Sequence, residues 1–586
     1  MDLIKLTIDN VPVEVEPGTT ILKAAEKVGI KIPTLCYMEL PDVGVINNPG
    51  ACRMCVVDIG GPRLFPACAT TCTPNMVVKT NSPRVLNARR TVMQLILSDH
   101  PADCLLCAKN DDCELRKLAA EMGVHELPFV ENCKQSHYKK STSPSINRDQ
   151  DKCIMCRRCE TMCNEVESVG AIGAINRGFN AVVATAFERP LVDSNCVFCG
   201  QCVAVCPTGA LTEVNNNPEV LEAIADPTKT VIVETAPSIR AALGEEFGLE
   251  PGTLVTGKMV AALRRIGFDY VFDTDFAADM TIMEEGSELV DRLTRVAKGD
   301  KSVKLPLFTS CCPAWVNFCE NEYPEMLDNL STAKSPMEMF GPVAKSMYAD
   351  KLGIKRENLV VVSVMPCVAK KFERQRPEFS KDGDSDVNIV ITTRELARLI
   401  KINNIDFKSL PDEDFDAPMG ESTGGAVIFG NTGGVMEAAV RVAYELVTGK
   451  KPEKVEFDEV RGFEGVRMAT IDFAGTPVNV AVAHELRNAR KLVEMVKSGK
   501  YNLAACEVMA CPGGCIGGAG QPFHHGDSNI LIARHNAIYR EDENKKCRRS
   551  NENKQLAEVY KEFLGKPLAG RAHELLHTRY FDRHRI

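Results

Sequence analysis

At 586 residues the chain has material for several domains and at least one large core. Its 70 basic and 79 acidic residues leave a net charge of −9, which points away from nucleic acid and from anionic membrane surfaces as partners. Its opening, Met1-Asp2-Leu3-Ile4-Lys5, is no signal peptide, and no apolar run approaches the ~18 residues of a membrane span, so a cytoplasmic protein is expected.

In that setting the 25 cysteines read as metal ligands or redox groups rather than a disulfide framework. Seventeen precede residue 207 and the next is Cys311, so a ligand-rich front is set apart from a larger rear domain.

Residues 3–8 alternate, Asp9-Asn10 turns, and Val11 to Val15 resumes, which predicts a hairpin. Thr20 to Val28 reads as a short helix stopped by Gly29. Cys36, Cys52, Cys55 and Cys68 follow, a four-thiolate set that suits a [2Fe–2S] cluster and equally a zinc ribbon. The hairpin and helix, with Ala51-Cys52-Arg53-Met54-Cys55-Val56-Val57, resemble the β-grasp ferredoxin domain shared by hydrogenases and the large iron–sulfur subunit of respiratory complex I. That resemblance favours the cluster over zinc. Cys72 is left as structural.

Val85 to Leu97 reads as a helix leading to Cys104, Cys107 and Cys113, three thiols that are one ligand short of a cubane. A lone His100 is ordinarily structural, but imidazole is an accepted iron ligand. The His-x3-Cys-x2-Cys-x5-Cys pattern is similar to the His-ligated [4Fe–4S] module of the same two families. Lys134 to Asp151 reads as a loop, with Cys133 beside it structural.

Next comes an internal repeat: Cys153, Cys156, Cys159 and Cys163, then after 32 residues Cys196, Cys199, Cys202 and Cys206. In C-x2-C-x2-C-x3-C pairs the fourth cysteine serves the other cluster. Cys206 is therefore assigned with Cys153, Cys156 and Cys159, and Cys163 with Cys196, Cys199 and Cys202. Asn164 stands where that motif ordinarily has proline.

Beyond residue 213, strand-like runs (Thr230 to Val233, Val360 to Val364, Val387 to Ile391, Val478 to Val482) alternate with helical ones (Met259 to Arg264, Ser335 to Ala349, Thr393 to Lys401). The alternation predicts an α/β fold with largely parallel sheets, whose ligands bind at the carboxyl ends of strands. Ala236-Pro237-Ser238, Cys311-Cys312, Met365-Pro366-Cys367 and Met509-Ala510-Cys511 all follow strand candidates, and Pro313 suits a first helical turn. The Gly-rich run Gly430 to Gly434 matches no phosphate-loop pattern, and no dinucleotide fingerprint appears anywhere.

The stretches Thr309 to Pro313, Met365 to Cys367 and Val508 to Cys515, in that order, resemble the active-site signature of the [FeFe]-hydrogenases, and the likeness covers nearly the whole chain. It implies four parts: a [2Fe–2S] domain (1–80), a His/Cys3 [4Fe–4S] module (81–125), a two-[4Fe–4S] ferredoxin domain (126–213) and a two-lobed catalytic domain with a C-terminal wrap (214–586). It implies an H-cluster whose cubane is held by Cys312, Cys367, Cys511 and Cys515, with Cys515 bridging to a two-iron unit carrying CO, cyanide and azadithiolate.

Around that unit the resemblance implies Ser238 and Lys370 as donors to cyanide, a pocket wall of Ala236, Pro237, Met365 and Met509, and Phe429 as its closure. Cys311 is implied as first proton acceptor, with an ordinary thiol pKa of ~8.5, followed by Glu285, Ser331, Glu288 and Arg292. By spacing alone Glu288 and Arg292 make an ordinary i,i+4 pair. Ala519 stands where the family has glycine, while Cys319, Cys506 and Cys547 get no role.

The implied activity is reversible H2 oxidation and proton reduction in an anaerobic metabolism. Its electrons would pass through one [2Fe–2S] and three [4Fe–4S] clusters to ferredoxin or to a separate NAD(P)-binding flavoprotein or iron–sulfur subunit, and maturation proteins would install the two-iron unit. The alternatives are an H2 sensor, an iron–sulfur assembly protein or a non-catalytic electron carrier. Of these, the carrier would lack the three rear stretches, and the sensor and assembly protein can dispense with the proton relay. A helix from Gly570, with His573 and His577, is expected to lie on the surface of the rear domain without metal.

Overall fold

The computed structural model describes residues 3–129, 141–452, 454–473 and 475–583. The chain divides into two compact units, one of Met1–Glu165, Gly170–Ser194 and Val205–Thr212, the other of Val166–Val169, Asn195–Ala204 and Glu213–Ile586.

The first unit opens with β1 (Ile4–Ile8) and β2 (Val11–Val15), antiparallel with Ile4 opposite Val15. Asp9 (φ 46°) and Asn10 (φ 69°) are both left-handed, as a two-residue type I′ turn requires. In α1 (Ile21–Lys27) the Thr20 hydroxyl accepts from the Lys23 N–H at 3.4 Å, and Gly29 (φ 74°) lets the chain leave. Strand alternation turns Leu6, Ile8, Val13 and Val15 onto Ile21 and Leu22, each burial stabilising by roughly 1.5–3 kcal/mol. A short β3 (Val77–Val78) joins β1 in parallel, and Cys72 packs into this core.

Further along, α2 (Pro83–Ser98) starts at a Ser82 cap with proline in its first turn, and α3 (Glu114–Glu121) starts at Cys113. The expected loop from Lys134 to Asp151 is corrected in its described part, where Ile146–Arg148 forms a strand. Three residues are too few to show a period of two. Cys133 lies outside the described residues.

The second unit contains two four-stranded sheets. The first is built from β4 (Thr230–Thr235), α4 (Thr256–Ile266), β5 (Tyr270–Asp273) and the long α5 (Thr274–Ala297). After β6 (Leu307–Phe308), α6 (Pro313–Glu322) and α7 (Pro336–Val343) it gains β7 (Leu359–Met365), β8 (Ile389–Thr392) and α8 (Thr393–Ile402). Its order is β5-β4-β7-β8, all parallel, with Val233 between Val271 and Val362. Such sheets are covered on both faces, which explains unbroken apolar runs such as Val231 to Val233.

The second sheet follows α9 (Gly434–Thr448) and consists of β9 (Val466–Phe473), β10 (Thr476–His484), β11 (Ala505–Met509) and the earlier β6. Its order is β6-β11-β10-β9, and only the β9–β10 pair is antiparallel. The chain closes with α10 (Ser528–Asn544) and α11 (Gly570–Leu576).

Two features position the site. The cysteine-bearing loops leave the carboxyl ends of β6, β7 and β11, and the Ala236 loop leaves that of β4. In addition, α5 buries Glu284, Glu285, Glu288 and Arg292 on a core helix, where ionisable groups are rare unless paired.

The expected surface position of the C-terminal histidines is corrected for His577. Its side chain is buried, and Glu284 stands 3.0 Å from its Nε2. The carboxylate it meets comes from α5, 293 residues earlier, and not from the neighbouring Glu574.

Candidate active site

The four strand ends open onto one cavity of ≈ 80 Å³ in the second unit, lined by Cys312, Cys367, Cys511 and Cys515 and by Cys311. Pro313 opens α6 directly after Cys312, so the helix N-terminus adds positive potential beside that sulfur. Gly514 (φ 98°) is required between Cys511 and Cys515, because a Cβ there would lie 2.6 Å from the Thr432 nitrogen and 2.9 Å from Met509 Sδ.

Ala236, Pro237, Ser238, Met365, Met509 and Phe429 all line the same cavity, and so does Lys370. The Lys370 ammonium donates to Glu373 Oε2 at 2.7 Å and to the Cys311 carbonyl at 3.4 Å, which holds it in place with its charge retained. Burial opposes that charge, but Glu373 outweighs it and raises the ammonium pKa above the ordinary value. The Ser238 hydroxyl accepts from Gln521 Nε2 at 3.1 Å, leaving its own hydrogen to donate.

Ala519 is fully buried and lies outside the lining, facing Gly200. Four lining residues went unread in the sequence: Thr274, which follows the end of β5 as the other loops follow theirs, Pro336 and Met337 behind the Ser335 cap of α7, and Gly518.

The cavity suits an iron–sulfur cofactor. Burial raises the pKa of all four thiols, that of Cys367 to about 12, and Cys312 and Cys367 raise those of Cys511 and Cys515 further. Four thiolates in so apolar a space need cations between them. Among the described residues no three ligating side chains converge as on a single ion, and a cubane instead takes one thiolate on each iron.

From Cys311 a line of polar side chains leads outward. Glu285 is buried, and burial together with the Glu288 charge pushes its carboxyl up to about 8. The Ser331 hydroxyl and Ser310 N–H pull the other way, yet neither closes a hydrogen bond to Glu285, whose oxygens have no partner among the described residues. Ser331 donates to Glu288 Oε2 at 2.9 Å, and Arg292 donates to Glu288 Oε1 at 2.6 Å and to the Asp328 and Leu330 carbonyls at 2.9 Å. The Glu288–Arg292 pair is thus largely buried, unlike an ordinary exposed i,i+4 pair. Both residues line a ≈ 520 Å³ surface cavity together with Asp328, Thr332 and Tyr580.

The expectation of an ordinary Cys311 thiol is corrected. Burial first, then Glu285 and Cys312, push its pKa well above the usual range, so it stays protonated at neutral pH.

The first unit carries further thiol sets. Cys55 and Cys68 have sulfurs 3.3 Å apart, and Cys36 and Cys52 also share a hydrogen bond, which lowers Cys52 to about 6. Two pairs are what a [2Fe–2S] cluster takes, two thiolates to each iron. His100, Cys104, Cys107 and Cys113 line one small cavity, and a Cβ on Gly209 would stand 2.5 Å from Cys107 Sγ. Cys206 lines a cavity with Cys153, Cys156 and Cys159. Cys163 belongs to the first unit and Cys196, Cys199 and Cys202 to the second. Cys319 and Cys506 are fully buried within the second unit, and Cys547 is half-buried.

Comparison with known proteins agrees along the whole chain. A family model described as "Iron only hydrogenase large subunit, C-terminal domain" matches residues 229–519, and "Iron hydrogenase small subunit" matches 528–583. The front matches a 2Fe-2S cluster binding domain (2–83), an NADH-ubiquinone oxidoreductase-G iron-sulfur binding region (89–128) and a ferredoxin-like domain of NADH-quinone oxidoreductase subunit 3 (143–212). The chain is 60% identical to the NADP-reducing hydrogenase subunit HndD of Solidesulfovibrio fructosivorans over 100% of both chains. It is 39% identical to Iron hydrogenase 1 of Clostridium pasteurianum, over 98% of this chain and 99% of that one. The solved [FeFe]-hydrogenase HydA1 from Chlamydomonas reinhardtii superposes with a TM-score of 0.57 at 40% identity, covering 63% of this chain and 99% of that one.

Proposed function

This chain belongs to the iron-only, or [FeFe], hydrogenase family, and from that premise we infer what each part of it does in reversible H2 oxidation and proton reduction. One observation carries the reading. The three cysteine stretches enclose one cavity, and Cys311 in its wall heads a buried line of acids that ends at the surface.

Cys312, Cys367, Cys511 and Cys515 would hold the cubane of the H-cluster, and Cys515 would also serve the two-iron unit. When bound, that unit supplies the metal chemistry of heterolytic H2 cleavage. Lys370 and Ser238 would donate hydrogen bonds to its anionic ligands, the charged donor being roughly twice as strong as the neutral one. Ala236, Pro237, Met365, Met509 and Phe429 keep water out with apolar and polarizable walls.

Protons enter and leave through this chain's own groups. The Cys311 thiol gives its proton inward and is refilled by Glu285, which at about 8 holds a proton at neutral pH. Ser331 stands beside Glu285 and donates to Glu288, and Arg292 holds Glu288 where it meets the surface cavity. A protonated thiol next to a protonated acid is a loaded donor pair, which suits proton delivery. Such a pair has no purpose in a bare electron carrier.

Electrons use the front half. We assign a [2Fe–2S] cluster to Cys36, Cys52, Cys55 and Cys68, and three [4Fe–4S] clusters to His100 with Cys104, Cys107 and Cys113 and to the two crossed cysteine sets. The relative that matches end to end is named as an NADP-reducing hydrogenase subunit. This chain has no dinucleotide motif, so an NADP-binding partner subunit is the inferred electron acceptor. No helix among the described residues is long and apolar enough to cross a membrane.

The test is anaerobic H2 evolution from reduced methyl viologen, with the two-iron cofactor installed. Robust turnover is expected. Its absence from fully loaded protein would favour H2 sensing instead.

A further inference from the structure

The C-terminal segment grips the proton path from behind. Tyr580 donates its hydroxyl to the Ser331 carbonyl at 2.8 Å, while Thr578 N–H donates to the Thr332 carbonyl and Lys334 N–H to that of Leu576, both at 2.8 Å. Between these bonds sits His577. Its Nδ1 is 2.8 Å from Thr332 Oγ1 and its Nε2 is 3.0 Å from Glu284 Oε2. Thr332 in turn meets Glu288 Oε2 twice, through its N–H at 3.0 Å and its hydroxyl at 3.3 Å. Glu284 also accepts from the Tyr560 hydroxyl at 2.5 Å and the Leu568 N–H at 2.7 Å. An unbroken buried chain therefore runs Tyr560, Glu284, His577, Thr332, Glu288.

We propose that His577 is a positioning residue of the proton path, acting through Thr332 to set the hydrogen bonding of the Glu288 carboxylate. The proposal rests on the reading of Cys311, Glu285, Ser331, Glu288 and Arg292 as that path.

The chemistry follows from donor counting. Glu284 is already an acceptor twice over, so the ring presents Nε2–H to it and leaves Nδ1 as an acceptor. The Thr332 hydroxyl donates to that nitrogen, which pins the threonine and so keeps its N–H on Glu288 Oε2. The titratable groups facing the ring are Glu284 and, beyond Thr332, Glu288 from α5, then Tyr560 behind Glu284. His573, one turn earlier, stacks with ring centres 5.0 Å apart.

The experiment measures H2 evolution from reduced methyl viologen by cofactor-loaded, full-length enzyme carrying His577→Ala, Thr332→Val, both together, Thr332→Ser or Glu288→Gln. One hydrogen bond is at stake, so each of the first two lowers kcat about fivefold with KM for viologen unchanged. The double variant falls no further, because both act through one contact. Thr332→Ser regains most of the rate.

An additive double variant, about 25-fold down, would show that His577 acts elsewhere and would overturn the proposal. So would parental rates in His577→Ala or Thr332→Val beside an impaired Glu288→Gln. If His577→Ala does not fold, the Thr332→Val and Thr332→Ser pair decides the same contact. A parental rate in Glu288→Gln would instead remove the proton path itself, and this proposal with it.

Discussion

Ser331 donates to Glu288 at 2.9 Å, whereas Glu285, one turn earlier on the same helix, is buried with no hydrogen bond to either oxygen. The two glutamates thus differ in kind. Glu288 is held by Ser331, Thr332 and Arg292, whereas among the described residues nothing bonds Glu285, which burial keeps as a neutral acid. A path with an anchored outer acid and a protonated inner one has a proton to pass at its inner end.

The neutral state of Glu285 has a measurable consequence. Its folded pKa of about 8 lies above its ordinary 4.5, so between those values the native state holds a proton that the unfolded chain releases. Stability should therefore fall with rising pH across that window. In Glu285→Gln this part of the decline should vanish. Urea midpoints of the cofactor-free protein at pH about 5 and about 8 check it, and equal pH slopes in parent and variant would show Glu285 to be ordinary.

Far from the cavity, Arg441 is fully buried and makes two bonds to Asp542, at 3.0 Å and 2.9 Å, and one to Glu437 at 2.7 Å. Asp542→Ala strands part of that charge and should destabilise the second unit by about 3–5 kcal/mol. Thermal melts monitored by circular dichroism would report it as an early transition, with the first unit's transition unmoved.

In the first unit, the crossed ligand assignment predicts matched losses. Cys206→Ala and Cys153→Ala should remove the same [4Fe–4S] cluster, giving the same missing signal in the reduced electron paramagnetic resonance spectrum. Cys163→Ala should remove a different one. If Cys163 and Cys153 were to give identical losses, the crossing would be wrong.

How much of this was readable in the sequence follows the range of each interaction. The assigned cluster ligands obey local spacing, so Cys104 and Cys107, or Cys153 to Cys159, stand out at once. The convergence of the rear cysteines on one cavity is nearly as legible, because their stretches follow apolar strand runs and parallel sheets place strand ends together. What escaped was contact across distance. Glu284 and His577 are 293 residues apart, and neither has a motif. Gly209 backs Cys107 only through the fold. Lys370 and Glu373 stand at i and i+3, so their pairing was within reach of spacing, but nothing in the sequence says that the pair is buried. The raised Cys311 thiol likewise needs burial, which is a property of the fold.

The most direct test compares the parent with Cys311→Ser, both loaded with cofactor. Infrared bands of the CO and cyanide ligands confirm loading, and H2 evolution from reduced methyl viologen gives the rate. Cys311 is a cavity-wall thiol, not one of the four assigned cluster ligands. The account predicts parental infrared bands with most turnover lost, by roughly 10²–10⁴-fold as for removal of a proton-transfer group. A rate close to the parent's, with bands unchanged, would contradict the proton path that begins at Cys311.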